Sequence, residues 1–109
     1  MKVDTIKTET IDLKEGLLKI NNFNIDVLFT PGHTQGSSVF IIEDNMFTGD
    51  TVFKLGVGRT DLEGGSNTDL KNSLRLLKSL NKNYTLYPGH GEFSELDYEL
   101  NNNYYFRNL

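Results

Sequence analysis

The sequence predicts an α+β domain with a mostly antiparallel sheet and two helices, and we treat residues 1–109 as one unit. Extended runs of β-branched and aromatic residues dominate the first half, where apolar positions recur every second residue. In the second half, leucines recur every three or four residues, which is the period of a helix. A chain of 109 residues fits one small domain rather than two.

The first half is predicted to be a meander of antiparallel strands. Apolar and polar residues alternate from Phe23, and the turn pair Asn21-Asn22 separates this segment from the short apolar run before it. A further strand is expected after the first helix. The predicted strands cover residues 17–20, 23–29, 38–42, 46–48 and 84–87.

Two helices are expected in the second half. The first carries one apolar stripe, formed by Leu70, Leu74, Leu77 and Leu80. Its start has three residues that can cap a helix, Ser66, Asn67 and Thr68.

The second helix would close the chain. Leu96, Leu100 and Tyr104 are spaced to share one face of it. Ser94 and Asp97 resemble a capping box at its start, with Asp in place of the usual Glu or Gln.

Composition excludes several classes of function. The chain has no Cys, which excludes a disulfide framework, a Cys-type zinc finger and a thiol nucleophile. A net charge of -4 gives no electrostatic footprint for nucleic acid or an anionic membrane. No apolar stretch approaches the roughly 20 residues of a membrane span, and the N-terminus has no signal-peptide apolar region. We therefore expect a cytoplasmic protein with neither nucleic acid nor a membrane as partner.

One motif occurs twice and contains every His and every Pro of the chain. The two copies occupy residues 30–33 and 87–90, and both follow an apolar segment and end in Pro-Gly-His. A third segment, 47–50, has the same plan without Pro and ends in Asp50. Each apolar strand is thus followed by a glycine-containing turn and then by a side chain that can bind a metal.

Strand ends that meet at one edge of a sheet gather such side chains on a rigid support. Pro restricts the backbone and Gly permits a tight turn, so the direction of each side chain is fixed. A set of His33, Asp50 and His90 suits zinc, and equally iron(II) or manganese. A single His after Pro-Gly would be an ordinary loop residue. Two identical turns that use both histidines favour a site.

These residues carry a family resemblance over most of the chain. Four motifs occur in order: TPGHTQGSS at 30–38, FTGDTVF at 47–53, GRTDLEGG at 58–65 and YPGHG at 87–91. Together they resemble the C-terminal half of a metallo-β-lactamase-superfamily hydrolase. Within that superfamily, GRTDL and the Asp of the Thr-Gly-Asp turn are similar to the hydroxyacylglutathione hydrolase (glyoxalase II-like) branch. Classical β-lactamases usually have Cys at the position of Asp50, which disfavours antibiotic hydrolysis.

The resemblance implies a role for each residue of the site. His33 would bind the first metal and His90 the second, while Asp50 would bridge both and be the catalytic residue of this chain's share. Zinc lowers the pKa of a bound water to about 7, and the resulting hydroxide would attack a thioester carbonyl. Arg59 and Asp61 match the GRTD turn and would orient the ligands from behind, although a surface ion pair is the alternative for them.

The resemblance also implies a missing part. The family's H-x-H-x-D-H signature does not occur in this sequence, and relatives often have Asn-Pro-Tyr or Asn-Pro-Phe where this chain has Asn103-Tyr104. The full fold is an αββα sandwich, so one half would leave the inner face of its sheet uncovered. We therefore expect either a homodimer that packs sheet on sheet, with Val39–Ile42 in the interface, or a separate N-terminal half as partner.

Three alternatives stay open from the sequence. His33, Asp50 and His90 together with water could hold a single ion, although the family divides them between two. The chain could instead be a metal-free structural module that dimerises or complements an N-terminal half. An iron-dependent persulfide dioxygenase shares GRTD-type motifs and is the non-hydrolytic alternative.

Overall fold

The computed structural model describes residues 16–20 and 23–109. Six strands form one sheet in the spatial order β1-β2-β3-β4-β7-β8, and β5 and β6 form a separate small hairpin. The strands are β1 (Gly16–Ile20), β2 (Phe23–Phe29), β3 (Ser38–Ile42), β4 (Asn45–Gly49), β5 (Val52–Phe53), β6 (Gly56–Val57), β7 (Thr85–Pro88) and β8 (Ser94–Glu95). The helices are α1 (Asn67–Ser79), α2 (Leu96–Asn102) and α3 (Tyr104–Arg107). The predicted α+β class with a mostly antiparallel sheet is confirmed.

Strands β1 to β4 form the predicted antiparallel meander. The predicted turn at Asn21-Asn22 lies outside the described residues. Strand β7 then pairs with β4 in parallel, after the chain has passed through the β5–β6 hairpin and α1. A bulge shifts the register within β4, so that Gly49 lies opposite Pro88. The two strands therefore end side by side at the same edge of the sheet.

Helix α1 covers one face of the sheet, as its leucine stripe predicts. Leu70, Leu74 and Leu77 are buried, and Leu80 packs against the same core. Alternation along the strands turns the apolar partners toward this helix. These partners are Leu28, Val39, Ile41, Met46 and Leu86. Of the three cap candidates it is Ser66 that caps the helix, because its hydroxyl accepts a hydrogen bond from the backbone N–H of Asp69.

The closing helix differs from the prediction. It is interrupted at Asn103, which has an extended backbone and caps α3 by accepting a hydrogen bond from the N–H of Tyr105. The interruption rotates the last turn, so that Phe106 is buried and Tyr104 is 68% exposed. The prediction that Tyr104 continues the buried face was therefore wrong, whereas Leu96 and Leu100 do pack on the core.

The predicted capping box was also wrong. The N-cap of α2 is Glu95, with no side-chain cap hydrogen bond. The Ser94 hydroxyl points into the protein and donates to the Glu99 carboxylate, while the N–H of Asp97 donates to the side-chain oxygen of Asn83. Ser94 lies in β8 rather than at the helix start because the buried carboxylate provides its partner.

The other face of the sheet carries an exposed aromatic strip that we call the aromatic face. It consists of Phe47, Tyr87 and Phe93, which are between 39% and 67% exposed. Phe47 stacks on Tyr87 at 5.3 Å between ring centroids, and Tyr87 lies 6.4 Å from Phe93. The uncovered surface thus lies on β4 and β7, not in the run 39–42, where Phe40 is only 9% exposed.

Within residues 16–20 and 23–109, no helix is long and apolar enough to cross a membrane.

Candidate metal centre

The parallel pairing of β4 with β7 brings Asp50 and His90 together. Each follows the last residue of its strand within two positions, and the N–H of Gly89 donates to the carbonyl of Gly49 at 2.8 Å. Gly49 has φ of 52°, which a residue with a side chain rarely adopts, and this conformation turns the chain sharply into Asp50. The sheet edge therefore fixes the two side chains relative to each other.

His33 reaches the same edge from the loop that follows β2. The N–H of Thr30 donates to the carbonyl of Ser37 and closes this loop at its base. Helix α1 then holds the loop, because the Ser73 hydroxyl donates to the carbonyl of Pro31 at 2.7 Å and the N–H of Ser66 donates to Gly32. The first Pro-Gly-His turn is thus packed against a helix as well as anchored to a strand.

A buried hydroxyl pair joins the His33 loop to the Asp50 turn. The Oγ1 atoms of Thr30 and Thr51 lie 3.0 Å apart, and both side chains are essentially unexposed. Thr48 closes the Asp50 turn by donating its hydroxyl proton to the carbonyl of Val52. These contacts leave little freedom to the backbone on either side of the carboxylate.

The three predicted residues converge on the carboxylate of Asp50. Its Oδ2 lies 3.7 Å from Nε2 of His33, and its Oδ1 lies 3.5 Å from Nδ1 of His90. Both distances exceed the usual hydrogen-bond range of about 2.7–3.2 Å. Each histidine therefore faces its own carboxylate oxygen across a gap. The side chains of His33, Asp50 and His90 are 21%, 46% and 75% exposed, so the site opens to solvent on the His90 side.

The tautomer of His33 is fixed by its other ring nitrogen. Nδ1 lies 2.8 Å from the backbone carbonyl oxygen of Arg59, which can only accept a hydrogen bond. Nδ1 must therefore carry the proton, and in the neutral ring the lone pair of Nε2 points toward Asp50. A hydrogen bond of this kind orients histidine ligands in metal sites.

Arg59 and Asp61 pair with each other rather than with the three converging side chains. The guanidinium donates two hydrogen bonds to the carboxylate, at 2.7 and 2.9 Å, and both side chains are mostly exposed. The hydrogen bond from Arg59 lowers the pKa of Asp61 to about 2. Arg59 contacts His33 through its backbone carbonyl and not through its guanidinium.

Two further residues shape the site and were not singled out from the sequence. The ring of Phe53 lies 4.7 Å from the imidazole of His90 and covers one side of it. Gly58 packs so closely that a Cβ there would lie 1.9 Å from the carbonyl oxygen of Asp50 and 3.0 Å from Cβ of His33. Phe53 is the last residue of the FTGDTVF motif, and Gly58 is the first residue of GRTDLEGG. A glycine next to a turn that carries a candidate ligand is the sequence signal that could have pointed to Gly58.

A cavity of about 310 Å³ opens above these residues. It is lined by His33, Asp50, Phe53, Val57, Gly58, Arg59 and His90. Its size falls at the lower end of the range of small-molecule sites, about 300–1,000 Å³.

The donor set fits metal ions held between Asp50 and each histidine. Two ligands that are each about 2.1 Å from a tetrahedral ion lie roughly 3.4 Å apart, which is close to both observed gaps. Neutral imidazole and carboxylate are also the ligand types that zinc and non-haem iron accept. In the described ranges 16–20 and 23–109, no three His, Cys, Asp or Glu side chains surround one ion position. The described side chains thus offer two donors to each position.

Comparison with known proteins decides the family. The sequence model of the Metallo-beta-lactamase superfamily matches residues 4–90. The chain belongs to the metallo-beta-lactamase superfamily. All three converging side chains lie within the matched segment, and His90 is its last residue.

Several relatives that this chain matches carry metallo-hydrolase names. The probable metallo-hydrolase MJ0888 of Methanocaldococcus jannaschii is 41% identical over 90 residues, which cover 80% of this chain and 44% of the relative. The hydroxyacylglutathione hydrolase GloC of Haemophilus influenzae is 38% identical, with 80% of this chain and 42% of the relative covered. The chain therefore spans less than half the length of the curated relatives it matches.

A solved structure gives the same result for the fold. The protein TTHA1623, crystallised in a di-iron-bound form, superposes with a TM-score of 0.79 at 34% identity. The match covers 91% of this chain and 50% of that chain. Metal dependence is thus a property of this superfamily, and this neighbour has been crystallised with two irons bound.

Proposed function

We propose that this chain carries part of the metal centre of a thioester hydrolase similar to the glyoxalase II branch of the superfamily. The observation that carries the proposal is the carboxylate of Asp50, whose two oxygens face two different imidazoles at 3.5 and 3.7 Å. A carboxylate placed in this way can bridge two ions. Both separations are longer than a direct hydrogen bond and leave room for an ion between each pair of donors, which supports the proposal.

Each of the three side chains is held in a different way, which sets what it would contribute to the site. His33 is oriented by Arg59 and presents Nε2, Asp50 is held by a tight turn, and His90 stands at the open side against Phe53. Zinc, or alternatively iron or manganese, would supply a water of lowered pKa and polarise a carbonyl oxygen when bound. Phe53 would shield one side of His90 from water.

A thioester of a small hydroxy acid is the proposed substrate class. The 38% identity to a hydroxyacylglutathione hydrolase and the GRTD turn support it. The cavity above Asp50 combines an apolar wall, formed by Phe53 and Val57, with the polar groups of the site. Such a wall suits an acyl chain, while the polar side leaves the carbonyl near the carboxylate and histidines.

The partner proposed for the aromatic face is a second sheet. A second copy of the chain or an N-terminal half could provide it. The face supports this because Phe47, Tyr87 and Phe93 form one exposed aromatic strip on the strands that lead into Asp50 and His90. A sheet packed there would lie next to the site, and it could add donors to both positions.

The experiment that tests the proposal is metal content per chain after zinc loading, followed by hydrolysis of a hydroxyacylglutathione thioester. The key variant is Asp50→Asn. Its matched control is Asp44→Asn, since Asp44 is an exposed aspartate that pairs with Lys82. We expect the wild type and the control to retain zinc and the Asp50 variant to lose it.

Thioester turnover above the zinc-only background, abolished in the Asp50 variant, supports hydrolysis by this chain. A wild type that takes up no metal, or an Asp50 variant that retains it, overturns the metal centre. Metal without turnover overturns hydrolytic activity of the chain by itself and leaves the metal centre standing. Parallel loading with iron addresses the dioxygenase alternative.

A further inference from the structure

A buried carboxylate lies away from the metal centre and has no role in the proposed function. Glu99 on α2 is 0% exposed. Its Oε1 accepts hydrogen bonds from the N–H of Leu55 and from Nδ2 of Asn103, both at 2.8 Å. Its Oε2 accepts from the hydroxyl of Ser94 at 2.6 Å. All three donors are uncharged, so hydrogen bonds from neutral groups hold this buried carboxyl group.

One of these hydrogen bonds comes from Leu55, in the turn of the β5–β6 hairpin. Leu55 has φ of 62°, in the left-handed region that a leucine rarely adopts. Glu99 accepts a hydrogen bond from the N–H of this strained residue, and Asn103 donates one to the carbonyl of Gly56 at 3.2 Å. Each strand of the hairpin has only two residues and makes few hydrogen bonds of its own. The two hydrogen bonds with Glu99 and Asn103 therefore contribute much of the restraint on the turn.

Both ends of the same hairpin reach the metal centre. Phe53, two residues before Leu55, covers the imidazole of His90. After β6, Gly58 packs on the backbone of Asp50, and the carbonyl of Arg59 orients His33. A movement of the turn would therefore be transmitted to every one of the three converging side chains.

Lys54 connects the hairpin to a second segment through a salt bridge. Its ammonium lies 3.0 Å from the carboxylate of Glu92, two residues after His90. Both side chains are exposed, and pairs of this kind contribute little in water. The contacts from Glu99 and Asn103 are therefore stronger restraints on the turn than this ion pair.

We infer that Glu99 is a positioning residue of the site, which acts through the β5–β6 hairpin and touches no reacting group. The inference rests on the proposed metal centre for its functional meaning, but the contact itself can be tested without metal. This role gives a reason for a hydrogen-bond acceptor in the core between two short helices and a hairpin. An apolar residue would fill the space but could not accept the N–H of Leu55.

The decisive comparison is Glu99→Leu against Leu100→Ala. Glu99→Leu keeps the approximate volume and removes the acceptor. Leu100→Ala destabilises the same helix by loss of apolar packing and leaves the hairpin contacts in place. Amide hydrogen exchange of Leu55, the nuclear Overhauser effect between the rings of Phe53 and His90, and zinc affinity are measured in each.

We expect Glu99→Leu to speed exchange of the Leu55 amide at least 10-fold beyond the global change in stability. The Phe53–His90 Overhauser effect should weaken, and zinc affinity should fall about 10-fold, a loss typical of residues that support metal ligands. Glu99→Gln should restore these readouts in large part, since its amide oxygen can still accept from Leu55 and the Ser94 hydroxyl can accept from its NH₂. Leu100→Ala should change none of them.

Unchanged Leu55 exchange and ring contact in Glu99→Leu, or equal effects in Leu100→Ala, would overturn the inference. If Glu99→Leu does not fold, the wild type decides: a Leu55 amide that exchanges as fast as that of exposed Lys54 overturns it, and a protected one supports it. If the wild type binds no zinc, the proposed function fails, while the exchange and Overhauser measurements still judge the role of Glu99.

Discussion

The close approach of Gly58 to Asp50 and His33 predicts that Gly58→Ala disrupts the fold and the proposed metal centre together. The new Cβ would lie 1.9 Å from the carbonyl oxygen of Asp50, where ordinary contact begins at 3.4 Å. The two segments must therefore separate by about 1.5 Å, because the obstacle is backbone rather than a flexible side chain. Overpacking of this kind typically costs 1–3 kcal/mol, so we expect a loss of about 2 kcal/mol in the free energy of unfolding.

The matched control is Gly56→Ala, two residues earlier in the same hairpin, where a Cβ would meet nothing within 4 Å. A loss of about 2 kcal/mol lowers the melting temperature of a domain of this size by roughly 10 °C, which calorimetry resolves easily. Because the shift also moves Asp50 relative to His33, zinc affinity should fall about 10–100-fold by titration calorimetry. The reasoning is refuted if both alanine variants melt within about 2 °C of the wild type, or if Gly58→Ala binds zinc normally.

Three further predictions follow from single contacts. Arg59 lowers the pKa of Asp61 from the ordinary value of 3.8 to about 2, so the stabilisation from this ion pair is complete above pH 3.8 and is lost as the pH falls through about 2. In Arg59→Ala, the pKa of Asp61 measured by NMR titration should return toward 3.8. Thr51→Val leaves the buried hydroxyl of Thr30 without this partner and should cost about 1–3 kcal/mol by urea unfolding, whereas changing both to Val should recover much of the loss. Phe47→Lys should convert a wild-type dimer to a monomer in light scattering, and a monomeric wild type would argue against association through the aromatic face.

The convergence of His33, Asp50 and His90 could be predicted from sequence because its signal is local. Each of these side chains follows a strand and a glycine turn within a few residues, and such turns are readable without knowledge of the rest of the fold. The strand pairing that unites Asp50 with His90 is not local, since it joins β4 to β7 across a helix. The motif order and its resemblance to a family provided that link; composition and periodicity alone did not.

The interruption of the closing helix was missed for a physical reason. Periodicity places Leu96, Leu100 and Tyr104 on one helical face, and this inference assumes an unbroken helix. Asn103 instead turns its side chain inward to Glu99 and Gly56 and caps α3. The hydrogen-bond partners that decide this lie up to 47 residues away along the chain, where no local pattern can reveal them.

The two Pro-Gly-His turns are identical in sequence and differ in structure, which gives a final prediction. In the first turn, Gly32 has φ of +146°, and a Cβ there would lie 2.5–2.7 Å from the Cβ, Cα and N atoms of Leu70. In the second, Gly89 has no such backbone strain, and its Cβ would lie 3.3 Å from the Asp50 carboxylate. Gly32→Ala should therefore lower the melting temperature by well over 10 °C by separating α1 from the loop. Gly89→Ala should leave the melting temperature within a few degrees while weakening zinc binding. On this reasoning the first turn holds α1 through Gly32, while Gly89 in the second turn affects mainly the position of the Asp50 carboxylate. Equal effects of the two substitutions on stability would contradict it.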